Sequence, residues 1–407
     1  MIQLAVLADD LTGGADTGAA FASVGLVTSI AFGGHAPDCD VLVVSTNSRE
    51  IDLATAADRN LRAATALATG PATRRPRWVY KKIDSALRGH PREELLAVMA
   101  GLGESRALIA PALPSEARTT VNGRQFLDGR PLEATSLGSS QGPSDLVSLF
   151  GSGGEVSVHA LGFNTIRNGP EEIERVLRQW GSGLVIADAE TELDLLLIAR
   201  AALRSDLRLL AGSAGLAGQL ARVLAPASVS HKEVAGRPAS PALVVAGSLH
   251  ESTASQVGVL QAAGLPIVRP VDALLHGSSR AKRRAVDELA MHLAAGRSVV
   301  LATAGLPPSR YGSAFVVSCL ADIVAAPGVR RHMGGLVLTG GETAAGILAG
   351  LGAIELRLMG EIRPAMPWGV LRTRDLPVMP IATKAGSFGE DDALLTCVEH
   401  LTRTGLR

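Results

Sequence analysis

Ile2-Gln3-Leu4-Ala5-Val6-Leu7-Ala8-Asp9-Asp10-Leu11-Thr12-Gly13-Gly14-Ala15-Asp16 begins as an apolar run and breaks into two adjacent carboxylates followed by two glycines. Residues 2–7 have the length of a strand, and residues 14–24 have the small-residue composition of a helix. The acids therefore fall where a parallel strand hands over to a crossover helix. In open α/β sheets that junction is where ligands bind.

The same pattern recurs through the first half. Short apolar, β-branched runs at 2–7, 27–32, 41–45, 78–83, 107–110 and 184–187 alternate with Ala/Leu-rich stretches, which predicts a mostly parallel sheet covered by helices. Residues 111–154 break this rhythm with Gly, Ser and Pro, and at that length the segment is expected to be a functional loop, an irregular excursion or a lid. Prolines, serines and charges at 225–241 mark a linker. Beyond it, strands are expected at 242–246, 266–271, 298–302, 336–339 and 378–383. The expected fold is α/β: two α/β lobes with mostly parallel sheets and a cleft between them, over residues 1–225 and 241–407. Such a cleft suits a two-substrate reaction.

Composition narrows the partners. The chain has 407 residues, more than one ordinary core accommodates, and 47% of them are hydrophobic. With a formal net charge of zero, disorder is excluded, and no electrostatic reason exists to expect a nucleic acid or an anionic membrane surface. The expected partner is a small molecule. Cys39, Cys319 and Cys397 are far apart and odd in number, so no disulfide framework or CxxC metal site is expected and a reducing cytoplasm fits. No basic n-region precedes the first strand, and no apolar stretch reaches the roughly 18 to 20 residues of a membrane span, so a cytoplasmic protein with no membrane partner is expected. The apolar excess could cover a homodimer interface or only two cores.

Several activities lack their signatures. No GxGxxG follows a strand, no GxxxxGK[ST] is present, and HExxH is absent. Gly138-Ser139-Ser140-Gln141-Gly142 fits GxSxG formally but lies outside the strand-to-helix context that makes such a serine a nucleophile.

Three polar clusters share a position relative to the sheet: Asp9 and Asp10 after the first strand, Ser48 and Arg49 after the third, and Asp84, Ser85 and Arg88 after the fourth. Parallel strands would bring them to one edge. Arginine forks, lysines and paired acids can together hold a small hydroxylated carboxylate, although helix capping by Asp10 and an Asp84–Arg88 surface pair would account for some of the same residues. Only five of the 39 basic residues are lysines, and Lys81, Lys82 and Lys384 lie in such motifs. In the second half, Leu338-Thr339-Gly340-Gly341-Glu342-Thr343, Lys384-Ala385-Gly386-Ser387-Phe388-Gly389 and Gly247-Ser248 follow strands. Glycines there let backbone N–H groups approach phosphates at a helix start.

Ala8-Asp9-Asp10-Leu11-Thr12-Gly13, Lys82-Ile83-Asp84-Ser85 with Leu87-Arg88-Gly89, Gly123-Arg124, Gly212-Ser213-Ala214-Gly215-Leu216-Ala217, Gly340-Gly341-Glu342-Thr343 and Lys384 to Gly389 together resemble the four-carbon acid sugar kinases, in order along nearly the whole chain. The resemblance implies ATP-dependent phosphorylation of the terminal hydroxyl of D-threonate, D-erythronate or a 3-oxo-tetronate, with an N-terminal sugar-acid domain and a C-terminal nucleotide domain. Carried over by motif, Asp9, Asp10, Arg49, Lys82, Asp84, Ser85 and Arg88 would hold the acid sugar, and Ser248, Gly340, Gly341, Glu342, Thr343 and Gly386 would meet ATP. Asp10, Asp84 and Lys82 are the expected catalytic residues, Asp10 being preferred as proton acceptor. Mg²⁺ is expected on the phosphates, with Glu342 or the acids Glu390 to Asp392 near it. The competing readings are a sugar-acid dehydrogenase or decarboxylase, disfavoured by the missing nicotinamide fingerprint, and a non-catalytic sugar-acid sensor.

Overall fold

The structure, a computed structural model, describes residues 2–35, 37–138, 144–154, 156–226, 241–304, 306–307 and 309–403. Most of the expected linker and Ser140 of the GxSxG match lie outside these residues.

A strand buried on both faces cannot alternate apolar with polar residues, and the central strands here do not. Leu4–Ala8 (β1) is buried along its whole length. In chain order there follow β2 (Thr28–Ala31), β3 (Val41–Ser45), β4 (Trp78–Lys82), β5 (Arg106–Ala110), β6 (Arg118–Val121), β7 (Arg124–Leu127), β8 (Arg130–Pro131), β9 (Val158–Leu161), β10 (Gly183–Ala187) and β11 (Leu209–Gly212). The chain packs as two compact units, the first of residues 1–28 and 38–229, the second of residues 29–37 and 230–407.

In the first unit the sheet order is β3-β1-β4-β11-β5-β10-β9, every pairing parallel. The chain passes from β1 to β3 on one side and then to β4 on the other. The end of β1 is therefore a topological switch point. Helix α1 (Leu11–Ser23) starts three residues earlier than the periodicity predicted, because Asp10 caps it by accepting from the Gly13 amide at 3.1 Å. Helices α2 (Leu53–Thr69) and α3 (Pro91–Leu102) pack closely because Gly101 leaves no side chain between them; a Cβ there would lie 2.7 Å from the Leu61 carbonyl oxygen.

The expected loop at 111–154 contains regular secondary structure. It holds the three-stranded antiparallel sheet β6-β7-β8 and the helix Leu146–Gly151. Short strands with polar outer positions leave no period-2 signal strong enough to stand out among the Gly and Ser residues.

The second unit has β12 (Ala242–Ala246), β13 (Ile267–Val268), β14 (Val299–Ala302), β15 (Gly335–Thr339), β16 (Ala353–Glu361), β17 (Pro367–Thr373) and β18 (Met379–Lys384). The order β13-β14-β12-β15-β18 is parallel, and β17 and β16 continue it antiparallel. Those two antiparallel strands were not expected from the sequence, and the strand expected at 266–271 shrinks to two residues. The segment 29–37 joins this unit through the Phe32 amide on the Ile354 carbonyl, at 3.1 Å, and the Ser29 hydroxyl on the buried Glu355 carboxylate, at 2.7 Å.

Candidate active site

The three clusters predicted to meet do meet. Arg49, just beyond β3, donates from Nε to Asp9 Oδ2 at 2.7 Å and from Nη2 to Asp9 Oδ1 at 2.9 Å. Its Nη2 also lies 2.8 Å from Asp10 Oδ1 and 3.9 Å from Asp84 Oδ1. Arg88 grips Asp84 with a second fork, Nε to Oδ2 at 2.9 Å and Nη2 to Oδ1 at 2.7 Å. Both arginine forks are thus engaged by the chain's own acids. The turn that carries Asp84 is strained: Leu87 has φ 59, a conformation that costs a bulky residue on the order of 1 kcal/mol or more, and such strain gathers at functional turns. Gly89, at φ +84, lets this turn close on the pair; a Cβ there would sit 3.4 Å from Asp9 Oδ2.

Charge compensation sets the ionisation. Burial alone would raise the Asp9 carboxyl, but the Arg49 charge and hydrogen bond, with Lys81 and Lys82, more than offset it and hold Asp9 below the usual carboxylate range. Asp84 behaves in the same way: burial is outweighed by the Arg88 hydrogen bond and charge and by Arg49 and Lys82. Asp10 is the most accessible of the three acids, its side chain 17% exposed against 4% for Asp9 and 8% for Asp84. The Thr12 hydroxyl donates to its Oδ2 at 2.6 Å. Lys82 is buried, donates from Nζ to the Ile83 carbonyl at 3.1 Å and makes no ion pair among the described residues. An ammonium has three N–H groups, so donors remain for an anion.

Below this layer, Lys81 pairs with Glu94 at 2.7 Å, both fully buried. Glu94 also accepts from Ser48 Oγ at 2.6 Å, and Asn60 Nδ2 donates to Ser48 Oγ at 3.2 Å. Ser48 therefore anchors the turn that presents Arg49. The two adjacent lysines thus differ in their surroundings: Lys81 is closed in a buried ion pair, and Lys82 makes none among the described residues.

Sequence reading missed the contribution of the small antiparallel sheet. Arg118 Nη1 donates to Ser85 Oγ, and Gln125 Nε2 donates to the Ser85 carbonyl at 3.1 Å. Neither residue lies at the end of a predicted strand, so no positional signal could have selected them.

The second unit carries a cavity of about 460 Å³. Its lining combines a polar, glycine-rich set, Gly247, Ser248, Gly340, Gly341, Glu342 and Thr343, with an apolar wall of Leu274, Leu275, Leu306, Val316 and Val317. The apolar wall was not foreseen, because its residues read as ordinary core. Gly340, at φ +96, precedes the helix Gly341–Gly350, whose free N-terminal amides face this region as an anion site requires. Gly386 abuts Ser248, since a Cβ there would fall 2.1 Å from Ser248 Oγ. Lys384 braces the same loop, donating to the Ala385 carbonyl at 2.7 Å and the Phe388 carbonyl at 2.6 Å. Burial pushes its ammonium down to about 8, opposed by the neighbouring Cys397.

Among the acids considered for a cation, Asp392 is held by Arg363 at 2.7 and 3.0 Å and Asp391 accepts from Ser255 at 2.7 Å. Glu342 is the acid in the cavity wall. No group of three or more His, Cys, Asp or Glu side chains able to hold a metal occurs among the described residues. This donor set fits a cation held chiefly by a ligand's own oxygens, as Mg²⁺ on nucleotide phosphates is.

Two family models match the chain: a sugar-binding N-terminal domain over residues 4–220 and a nucleotide-binding C-terminal domain over residues 243–394. The chain is 31% identical to a D-threonate kinase of Salmonella typhimurium, with 98% of each chain covered. It is 30% identical to a 3-oxo-tetronate kinase of Methylobacterium radiotolerans, covering 96% of this chain and 97% of that one. A crystal structure of a Salmonella typhimurium LT2 protein shares the fold, with a TM-score of 0.81 at 23% identity, over 98% of this chain and all of the other.

Proposed function

The chain belongs to the four-carbon acid sugar kinases, and from that membership we propose that it transfers the γ-phosphoryl group of ATP to the C4 hydroxyl of D-threonate. What carries the reading is the knot of Asp9, Asp10, Asp84, Arg49, Arg88 and Lys82 at the carboxyl end of a parallel sheet, in a chain matched end to end by kinases of such acids. Carboxylates accept from a polyol's hydroxyls, and cations answer its carboxylate.

Phosphoryl transfer asks a protein chiefly to position reactants and neutralise charge. Asp10 accepts the proton of the attacking hydroxyl, being the most accessible of the three acids. Asp84, tied to Arg88 and held well below the usual carboxylate range, serves to orient the polyol and keep Arg88 in place. Lys82 offers its remaining N–H groups to charge that develops at the reacting centre. In the second unit the apolar wall receives the nucleotide base, and Ser248, Gly340 to Thr343 and Gly386 meet its phosphates. Mg²⁺, carried on those phosphates and approached by Glu342, would supply neutralising charge. Three buried thiols, Cys39, Cys319 and Cys397, suit a reducing cytoplasm. No described helix is long and apolar enough to cross a membrane.

The relative that acts on a 3-oxo-tetronate makes that acid the second reading, with D-erythronate the third. ADP release measured across the threonates, erythronates and 3-oxo-tetronates tests the proposal. A clear preference for D-threonate supports it, a preference for another of these acids selects the second or third reading in its place, and equal, acid-independent ATP turnover contradicts all three.

A further inference from the structure

We propose that Arg118, from the small antiparallel sheet, is the residue that binds the substrate's carboxylate. This rests on the sugar-acid reading of the first unit and extends it to a residue that no motif singled out.

The first observation is electrostatic. Asp9, Asp10 and Asp84 face Arg49, Arg88 and Lys82, so the cluster is neutral by itself, and both arginine forks are already closed on carboxylates. An incoming sugar acid would bring a fourth negative charge to three existing ones. Arg118 supplies the missing positive charge: it makes no ion pair among the described residues, and its one side-chain hydrogen bond there runs from Nη1 to Ser85 Oγ. Its Nε is buried without a partner. A buried N–H left unpaired is costly, and a ligand oxygen can recover that cost. A guanidinium is also the donor best matched to a carboxylate, through two parallel N–H groups.

The second observation is that this side chain is built into place. Gln125 on β7 donates to the Ser85 carbonyl at 3.1 Å and accepts from Thr120 Oγ1 at 2.7 Å. At the far end of the hairpin, the Gly123 and Asn122 amides donate to Asp188 at 2.8 and 3.0 Å. The Arg118 amide and carbonyl are both engaged with Leu113, at 3.1 and 2.8 Å. The hairpin is thus fastened to the turn that carries Asp84 and Ser85, and Arg118 is held at that turn before any ligand arrives. Such pre-organisation reduces the ordering cost of binding.

The test compares the full-length parent with R118Q and R118K by calorimetric titration against four-carbon sugar acids and against the neutral four-carbon polyol threitol, with ATP-analogue binding and thermal melting as checks on folding. Losing a charged hydrogen-bonding partner corresponds to about a 10- to 100-fold loss of affinity. R118Q is expected to lose that much for the acid, change less than about threefold for threitol, and retain nucleotide binding; R118K is expected to lie between. Should R118Q bind the acid as the parent does, or lose acid and polyol in equal measure, the assignment is overturned while the kinase reading stands. Should the parent itself bind no sugar acid, the reading of the first unit fails and Arg118 falls with it.

Discussion

Arg49 holds Asp9 through both of its carboxylate oxygens, at 2.7 and 2.9 Å, at the point where β1 and β3 end side by side. One guanidinium thereby fixes the acid that begins the site and reaches the two others. The pair is nine-tenths or more buried on the acid's side, where a charge without its partner is expensive.

Arg49→Ala is therefore expected to destabilise the first unit by about 3–5 kcal/mol, the cost of stranding a buried charge. Urea unfolding at pH 7 measures it. The parent also has a predictable acid response. Asp9 and Asp84 have folded values below the unfolded 3.8, so their contribution is complete above about pH 4 and is lost as pH falls toward the folded values. The variant should lose less over that range, because Asp9 no longer has the partner that held it low.

Asp10→Asn should leave the fold intact, since Asn caps a helix about as well as Asp, yet remove the proton acceptor. A fall in kcat of about 10²- to 10⁴-fold with little change in nucleotide affinity is expected. Asp84→Asn should instead raise KM for the acid, because it releases Arg88 and disorders the polyol contacts. Near-parental turnover in both variants would remove the base from the first unit.

Lys384 predicts an alkaline signature. Its folded value of about 8 lies below the unfolded 10.5, so above pH 8 the unfolded chain binds more protons and stability rises with pH, until the unfolded lysine also titrates. Cys397 acts oppositely above its unfolded value of 9, because burial pushes the folded thiol up to about 12. Between pH 8 and 9 the lysine dominates, and the parent should gain on the order of 1 kcal/mol. Lys384→Met should abolish that rise and weaken nucleotide binding by loosening the loop at Ala385 to Phe388.

Gly386→Ala should weaken ATP binding by about tenfold or more, because the new methyl would collide with Ser248 Oγ at the start of the phosphate region. Sugar-acid affinity, measured by titration without nucleotide, should be unchanged.

The sequence made legible whatever lay directly after a buried strand. Asp9, Arg49, Asp84 and Arg88 could be assigned to one edge because Leu4–Ala8, Val41–Ser45 and Trp78–Lys82 each begin with a short apolar or aromatic run of strand length, and parallel pairing does the rest. The Arg88–Asp84 pair, four residues apart, could be read from spacing, whereas the closing of the Arg49 fork on Asp9, 40 positions away, could not, since a fork in sequence does not reveal a distant partner. Arg118 was hidden because its strand lies in a Gly- and Ser-rich stretch where pairing depends on contacts with Ser85 and Asp188. The apolar wall at Leu274, Leu275, Val316 and Val317 looks like core until the fold shows a cavity beside it. The transfer of segment 29–37 to the second unit rests on Ser29 meeting Glu355, 326 positions away, a contact no local pattern encodes.

Phosphorylation of D-threonate is tested most directly by ³¹P and ¹³C NMR of the product formed from ATP and D-threonate carrying ¹³C at C4. Phosphoryl transfer to the terminal hydroxyl predicts a phosphomonoester whose phosphorus couples to the labelled carbon, formed in equal amount with ADP. Unaltered D-threonate alongside ADP and free phosphate, or a phosphate borne on any other carbon, would contradict it.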